Sequence, residues 1–243
     1  MAKGIKNYLK IELVLLVLIG IVVIVNHFYL GNVSAKLDNA LTPLSSSSVA
    51  AAETLELAPG AIEVQFYVMS QCPYGVQVED AIKPVLDTLG NNVDFKLDFI
   101  GNGVPGAFQS LHGQPEVDGN KVQICAAKYF PGSYMEMVAC MNKNMKAIPG
   151  NWEECAASAG LDLNTVRTCY EGGEGDELLA ESFQKASAAG ARGSPTIFVN
   201  GEPYKGGRTA EAFQQAICAE FSDAPEACGE VVAAAAPELK GSC

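Results

Sequence analysis

Residues 69–75 read Met69-Ser70-Gln71-Cys72-Pro73-Tyr74-Gly75 and place a cysteine between an apolar run and a helical pattern. The preceding run, 62–69, is rich in β-branched and aromatic residues, which predicts a buried strand. The following run, 76–89, has apolar residues at helical spacing that continue past Pro84, which predicts a helix kinked at that proline. Cys72 should then lie at the helix N-terminus, where unpaired N–H groups and the helix dipole stabilise a thiolate. We therefore interpret Cys72 as a candidate nucleophile.

A second strand is predicted over 93–100, where apolar and polar residues alternate after the turn Asn91-Asn92. A strand, a helix and a second strand joined by a crossover of this length predict a parallel pair in a right-handed βαβ unit. Cys72 would lie at the carboxyl end of the first strand. Open α/β sheets place their functional sites at that edge.

The last predicted strand lies in the run Gly193-Ser194-Pro195-Thr196-Ile197-Phe198-Val199-Asn200-Gly201. Asn200-Gly201 is a strong signal for a hairpin turn, and Pro203 is tolerated on the returning strand if that strand lies at the sheet edge. The segment 208–221 has apolar residues at helical spacing and predicts a final helix that closes the other face of the sheet.

Taken in order, these signals resemble the thioredoxin superfamily, whose active site is Cys-x-x-Cys after the first core strand. The resemblance implies an α/β thioredoxin-like fold, a nucleophilic Cys72, and a cis bond between Ser194 and Pro195. Gly75 stands where the family has its second cysteine, so a lone Cys72 would need a resolving thiol from elsewhere. By the same resemblance, the substrate-binding residues are Pro73, Tyr74, Gly75, Ser194, Pro195 and Thr196, with Gly75 leaving room beside the sulfur.

Short helices broken by Pro-Gly and Gly-Gly pairs are predicted between residues 101 and 190. We interpret this part of the chain as a helical insertion stapled by two disulfides among Cys125, Cys140, Cys155 and Cys169. Four cysteines allow three connectivities, and their spacing does not choose among them. Cys218 and Cys228 flank a short stretch and form a candidate local disulfide.

A second resemblance lies in the run Ser110-Leu111-His112-Gly113-Gln114-Pro115-Glu116-Val117-Asp118-Gly119-Asn120-Lys121-Val122-Gln123-Ile124-Cys125. It is similar to the signature of gamma-interferon-inducible lysosomal thiol reductases, Cys-Gln-His-Gly-x-x-Glu-Cys-x-x-Asn-x-x-x-x-Cys. Ser110 and Val117 replace two cysteines of that signature together. The positions that match are His112, Gly113, Glu116, Asn120 and Cys125. A histidine in such a loop supports it by hydrogen bonding more often than it acts as an acid or base.

The N-terminal part of the chain predicts a membrane anchor. Residues 11–30 are almost wholly apolar over a length that matches a hydrocarbon core of roughly 30 Å. Lysines precede this run, so residues 1–10 are expected to form a cytoplasmic basic stub, with residues 31–243 extracytoplasmic. A cleaved signal peptide is the alternative. Residues 31–60, rich in Ser and Ala, predict a flexible linker.

The chain has a formal net charge of −12, which argues against nucleic-acid partners. All eight cysteines follow the predicted anchor, and an even number there indicates an oxidising compartment with structural disulfides. No pair has the Cys-x₂₋₄-Cys spacing of a zinc site, so we expect neither a metal nor another cofactor.

The sequence thus predicts a thioredoxin-like domain over 61–228 and a disordered tail over 229–243. Cys243 in that tail would be free or bonded to another chain, and less readily the missing resolving thiol. The leading hypothesis is a membrane-anchored thiol–disulfide exchange protein, of oxidoreductase or isomerase type. It would act on cysteine-containing proteins, and an unidentified thiol partner would regenerate Cys72. The alternatives are a non-catalytic peptide-binding module, a subunit of a membrane assembly, or a monothiol site that captures a metal or cluster.

Overall fold

The computed structural model describes residues 54–232 and 241–243. The predicted basic stub, the predicted membrane helix and most of the predicted linker lie outside these residues. Within the described residues, no helix combines the length and apolarity that a membrane span requires. The last residues of the predicted linker belong to the folded domain, because Ala58 N donates a hydrogen bond of 2.9 Å to Asn91 O.

Four strands form one mixed sheet in the order β2-β1-β3-β4. As predicted, β1 and β2 are parallel, and the hairpin turn at Asn200-Gly201 joins β3 to an antiparallel edge strand that contains Pro203. Asn200 has φ 48° and Gly201 φ 79°, the left-handed pair that a tight hairpin turn needs. The strands are β1 Ile62–Val68, β2 Val93–Phe99, β3 Thr196–Val199 and β4 Glu202–Pro203.

Seven α-helices accompany the sheet in the described part of the chain. The first begins after Cys72 and runs through Pro84 without interruption, and the next five carry the predicted helical insertion. The helices are α1 Pro73–Leu89, α2 Gln114–Tyr129, α3 Tyr134–Asn142, α4 Trp152–Ser158, α5 Leu163–Glu171, α6 Gly173–Ala188 and α7 Ala210–Ala219.

The two faces of the sheet are covered by different helices. Phe66 of β1 is fully buried, and its ring lies 5.4 Å from that of Phe213 in α7, which also packs against α1. Tyr67 points the opposite way and clusters with Ala186 of α6. The expectation that the last helix closes the face opposite α1 was therefore wrong, because the insertion supplies α6 for that face.

Three disulfides staple the helices. Cys125 of α2 is bonded to Cys169 of α5, and Cys140 of α3 to Cys155 of α4, which selects one of the three possible pairings. The predicted local bridge between Cys218 and Cys228 is confirmed.

Glu79 of α1 is a fully buried carboxyl group with one polar partner at its Oε2, the Asn142 amide nitrogen, which donates over 2.9 Å. Burial raises the pKa of Glu79 to about 8, although the Asn142 bond opposes the shift. The unfolded chain ionises this carboxyl group near pH 4.5, so folding retains a proton that the unfolded state releases.

We expect wild-type stability to fall as the pH rises from about 5 to 8, because only the unfolded state gains from ionising Glu79 in that window. The slope should approach about 1.4 kcal/mol per pH unit. Glu79→Gln, which resembles the protonated side chain, should remove this contribution. Urea unfolding at several pH values measures it, and parallel pH profiles for wild type and variant would contradict the assignment.

Candidate active site

Cys72 caps the N-terminus of α1 and is fully buried. Pro73 occupies the first helical position, so the free N–H groups of the first turn begin at Tyr74. The sulfur of Cys72 is not a lone thiol, because it is bonded to Cys243 at a Cα–Cα distance of 6.1 Å, within the ordinary range for a disulfide. The expected free nucleophile is thus oxidised here, and its partner is Cys243.

The prediction of a disordered tail over 229–243 was wrong for its last three residues. Gly241–Cys243, hereafter the tail segment, packs against the site instead of lying free, and Cys243 is bonded within its own chain. Val232 is also buried, so the folded domain extends beyond residue 228. Counting could have pointed to this pairing, because the three predicted disulfides use six of the eight cysteines and leave Cys72 and Cys243.

The Ser194–Pro195 peptide bond is cis, as predicted, and the loop that contains it lies directly against Cys72. The Cys72 sulfur is 3.5 Å from the Ser194 carbonyl oxygen. That oxygen accepts a hydrogen bond of 3.1 Å from Cys243 N, so the loop also contacts the backbone of the tail segment. The hydroxyl group of Thr196 donates a hydrogen bond of 2.8 Å to Gly193 O within the loop and not to the tail segment.

The expectation that Gly75 leaves room beside the Cys72 sulfur was wrong. A Cβ atom at this position would lie 2.6 Å from Ser194 Oγ and 3.0 Å from Met69 O. Ser194 Oγ is itself fixed there, because it accepts a hydrogen bond of 3.0 Å from Met69 N. The serine hydroxyl therefore fills the space that a side chain at residue 75 would need.

A buried carboxylate from α2 holds the loop that precedes Cys72. Glu116 is fully buried, and its Oε1 accepts from Gln71 N over 3.2 Å and lies 2.6 Å from His112 Nδ1. Its Oε2 accepts from Ser110 Oγ over 2.6 Å and from His112 N over 3.1 Å. His112 thus supports the loop through hydrogen bonds. Ser110, at a position where the signature has a cysteine, also donates a hydrogen bond to Glu116.

Asn120, one turn further along α2, holds the neighbouring residue. Its Oδ1 accepts from Ser70 N over 3.0 Å, while Ser70 Oγ donates to the Glu116 carbonyl. On the other side, Gln71 Nε2 donates over 2.7 Å to Ile148 O, which precedes a second cis proline. The matched signature residues Glu116 and Asn120 therefore position the two backbone amides that lead into Cys72.

Glu116→Gln should destabilise the protein by about 2–3 kcal/mol, because an amide cannot accept every hydrogen bond that the buried carboxylate accepts. The exposed pair of Glu153 with Arg167 offers a matched control, and Glu153→Gln should cost less than about 1 kcal/mol. Urea unfolding measures both changes, and hydrogen exchange should report faster opening at Gln71 N in the first variant only. Equal costs for the two substitutions would contradict this positioning role.

Two residues outside the sequence-based set complete the site. Arg208, just before α7, donates through Nη1 to the Gly241 carbonyl. Gly241 lies against Tyr74, and a Cβ atom on it would be 2.6 Å from the Cζ atom of the tyrosine ring. Of the two predicted substrate-binding prolines, Pro73 is exposed and Pro195 is buried.

Two family models match this chain in overlapping segments. The model described as gamma interferon inducible lysosomal thiol reductase (GILT) matches residues 63–159, and the DSBA-like thioredoxin domain model matches residues 138–218. No curated protein sequence matches the chain. The two segments together span the sheet, the helical insertion, the cis-proline loop and most of α7.

Solved structures with the same fold come from several bacteria. DsbA from Mycobacterium tuberculosis, in its reduced form, is 20% identical with a TM-score of 0.53, over 74% of this chain and 93% of that one. The disulfide bond oxidoreductase DsbG from the same organism is 19% identical with a TM-score of 0.53, over 74% and 89%. BdbD from Bacillus subtilis is 14% identical with a TM-score of 0.53, over 67% and 89%.

Proposed function

We propose that this chain, a thioredoxin-fold protein of the DsbA-like and GILT-like group, is a thiol–disulfide oxidoreductase whose redox couple is Cys72 with Cys243. The single observation that carries the proposal is the bond between these two cysteines at the N-terminus of α1, beside the Ser194 carbonyl. In this proposal a two-cysteine mechanism replaces the one-cysteine mechanism, and the tail segment supplies the thiol that Gly75 does not supply.

The reaction transfers two electrons from a client dithiol to this disulfide. A client thiolate attacks one sulfur of the Cys72–Cys243 bond, forms a mixed disulfide, and releases the other cysteine as a thiolate. The second client thiol then attacks the client sulfur of the mixed disulfide. The client leaves oxidised, and Cys72 and Cys243 are both reduced. An external disulfide restores the starting state, and the same steps reversed reduce a client.

The position of Cys72 suits this exchange. A sulfur at a helix N-terminus is stabilised as a thiolate, so it is a good leaving group when its disulfide opens. Cys243 is only half-buried, whereas Cys72 is fully buried. In the helical insertion, by contrast, Cys125 and Cys169 are almost completely buried within helices, which suits a structural disulfide.

The proposed location is the outer face of a membrane. The apolar residues 11–30 would span the bilayer, residues 1–10 would stay cytoplasmic, and residues 31–53 would tether the folded domain outside. The four disulfides among the described residues support an oxidising compartment, where such bonds persist.

A single-turnover assay tests the proposed reaction. Oxidised full-length protein is mixed with a synthetic dithiol peptide, and the peptide disulfide is counted against newly formed protein thiols. We expect one peptide disulfide per chain, with the new thiols mapping to Cys72 and Cys243 while the other six cysteines remain bonded. Peptide binding without transfer would overturn the proposal in favour of a non-catalytic peptide-binding module.

A further inference from the structure

The tail segment occupies the place that a client must take. Its cysteine is bonded to Cys72, and the N–H of the same residue donates over 3.1 Å to Ser194 O. A client in a mixed disulfide with Cys72 needs the same sulfur, and an extended client strand needs the same carbonyl group. Client and tail segment therefore compete for one groove, and the contacts of the tail segment describe what that groove accepts.

The residue two positions before the bonded cysteine, Gly241, contacts both Tyr74 and Arg208. Gly241 has φ +134°, and a Cβ atom there would lie 2.6 Å from Tyr74 Cζ and 2.7 Å from Tyr74 Oη. On its other side, the Arg208 guanidinium donates to the Gly241 carbonyl oxygen. The backbone at this position thus contacts an aromatic ring and a guanidinium group, and a Cβ atom on it would meet the ring in its present position.

We infer that the groove between Tyr74 and Arg208 is a specificity site that selects clients with glycine two residues before the reactive cysteine. The tail segment, Gly241-Ser242-Cys243, is the internal occupant of this site. The inference rests on the proposed function, since it names the client sequence that the Cys72 site prefers. A client with a larger residue at that position must push the Tyr74 ring aside.

The test follows the covalent step in the reducing direction on the full-length Cys243→Ser variant, in which Cys72 has no internal partner. The probes are capped peptides whose cysteine carries thionitrobenzoate. Cys72 attacks the peptide sulfur, a Cys72–peptide disulfide forms, and thionitrobenzoate leaves as a thiolate. Intact mass counts the adduct, so attack on the other sulfur is not scored.

The peptides Ala-Gly-Ser-Cys and Gly-Ala-Ser-Cys have the same composition and differ only in the position of the glycine. We expect the first to form the adduct about tenfold faster, a difference of about 1.4 kcal/mol, because the extra carbon of the second peptide would meet the Tyr74 ring. Tyr74→Ala should reduce the ratio to near one by removing the ring. Tyr74→Phe keeps the ring and should keep the ratio.

Three outcomes would overturn the inference. Equal rates for the two peptides on the Cys243→Ser protein would leave the proposed function standing and remove the specificity site. If the tenfold ratio of the two peptide rates persists in the Cys243→Ser variant that also carries Tyr74→Ala, the Tyr74 ring is not what selects glycine. Failure of every peptide to form an adduct at Cys72 would overturn the proposed function together with the inference.

Discussion

Cys72→Ser is expected to lower the rate of thiol–disulfide exchange at least about 1,000-fold, the loss that follows removal of a nucleophile. Without Cys72, the helix N-terminus carries no cysteine whose thiolate it could stabilise. The rate is measured as oxidation of a dithiol peptide in the presence of excess glutathione disulfide. The residual rate should equal that of glutathione disulfide alone.

Cys243→Ser is the matched variant, because it breaks the same disulfide and leaves the same 171-residue separation unbridged. Its turnover should also fall, but by less than that of Cys72→Ser, because Cys72 still forms mixed disulfides with glutathione and with the peptide, and the second peptide thiol still resolves the latter. Both variants lose the same chain constraint, so a difference between them reports chemistry and not stability. Exchange at the wild-type rate in Cys72→Ser would contradict the account.

The second large effect concerns the disulfide that joins α2 to α5. Replacing Cys125 and Cys169 together by alanine should lower the free energy of unfolding by about 4 kcal/mol, because the bond closes a long loop. Its sequence separation is 44 residues, against 10 for Cys218 and Cys228. Removing the shorter bridge should therefore cost less, about 3 kcal/mol.

Urea unfolding of the two double variants measures this difference, with the Cys72–Cys243 bond kept oxidised in both. Exchange activity supplies the control, since neither bridge takes part in the proposed reaction. A larger loss of stability from the 10-residue bridge would contradict the loop-closure argument. A loss of exchange from either variant at a temperature where it stays folded would contradict the separation of structural and redox-active disulfides.

The features predicted correctly from sequence are those fixed by short-range signals. The parallel pairing of β1 with β2 follows from a strand, a helix and a strand in order, and the hairpin follows from Asn200-Gly201. The placement of Cys72 at a helix N-terminus follows from the strand and helix patterns on either side of it, whereas the cis bond before Pro195 came from the resemblance to the thioredoxin superfamily. Each of these depends on residues that lie close together in the chain.

The errors all involve contacts between distant residues. Cys243 pairs with Cys72 across nearly the whole domain, and no local pattern connects the two. The space beside Gly75 is filled by Ser194 Oγ, which depends on how the cis-proline loop packs and not on either residue alone. The final helix packs on the α1 face because α6, a helix of the insertion, already covers the other side of β1.

The GILT signature was recognisable in the sequence, but the structural role of its residues was not. Glu116 and Asn120 matched the signature, but their function appears only in three dimensions, where they accept hydrogen bonds from the Gln71 and Ser70 amides. Ser110 replaces a signature cysteine and still contacts this cluster through Glu116 Oε2. The matched signature residues thus position the loop before Cys72 even though two cysteines of the signature are replaced.

The most direct test of the central claim is a redox titration of the full-length protein in glutathione buffers, with alkylation of free thiols and peptide mapping at each step. The account predicts that the first two thiols to appear are Cys72 and Cys243, together and in equal amounts, while the three helix-stapling bridges remain intact. First reduction at any other pair, or a Cys243 that maps to a partner other than Cys72, would contradict it.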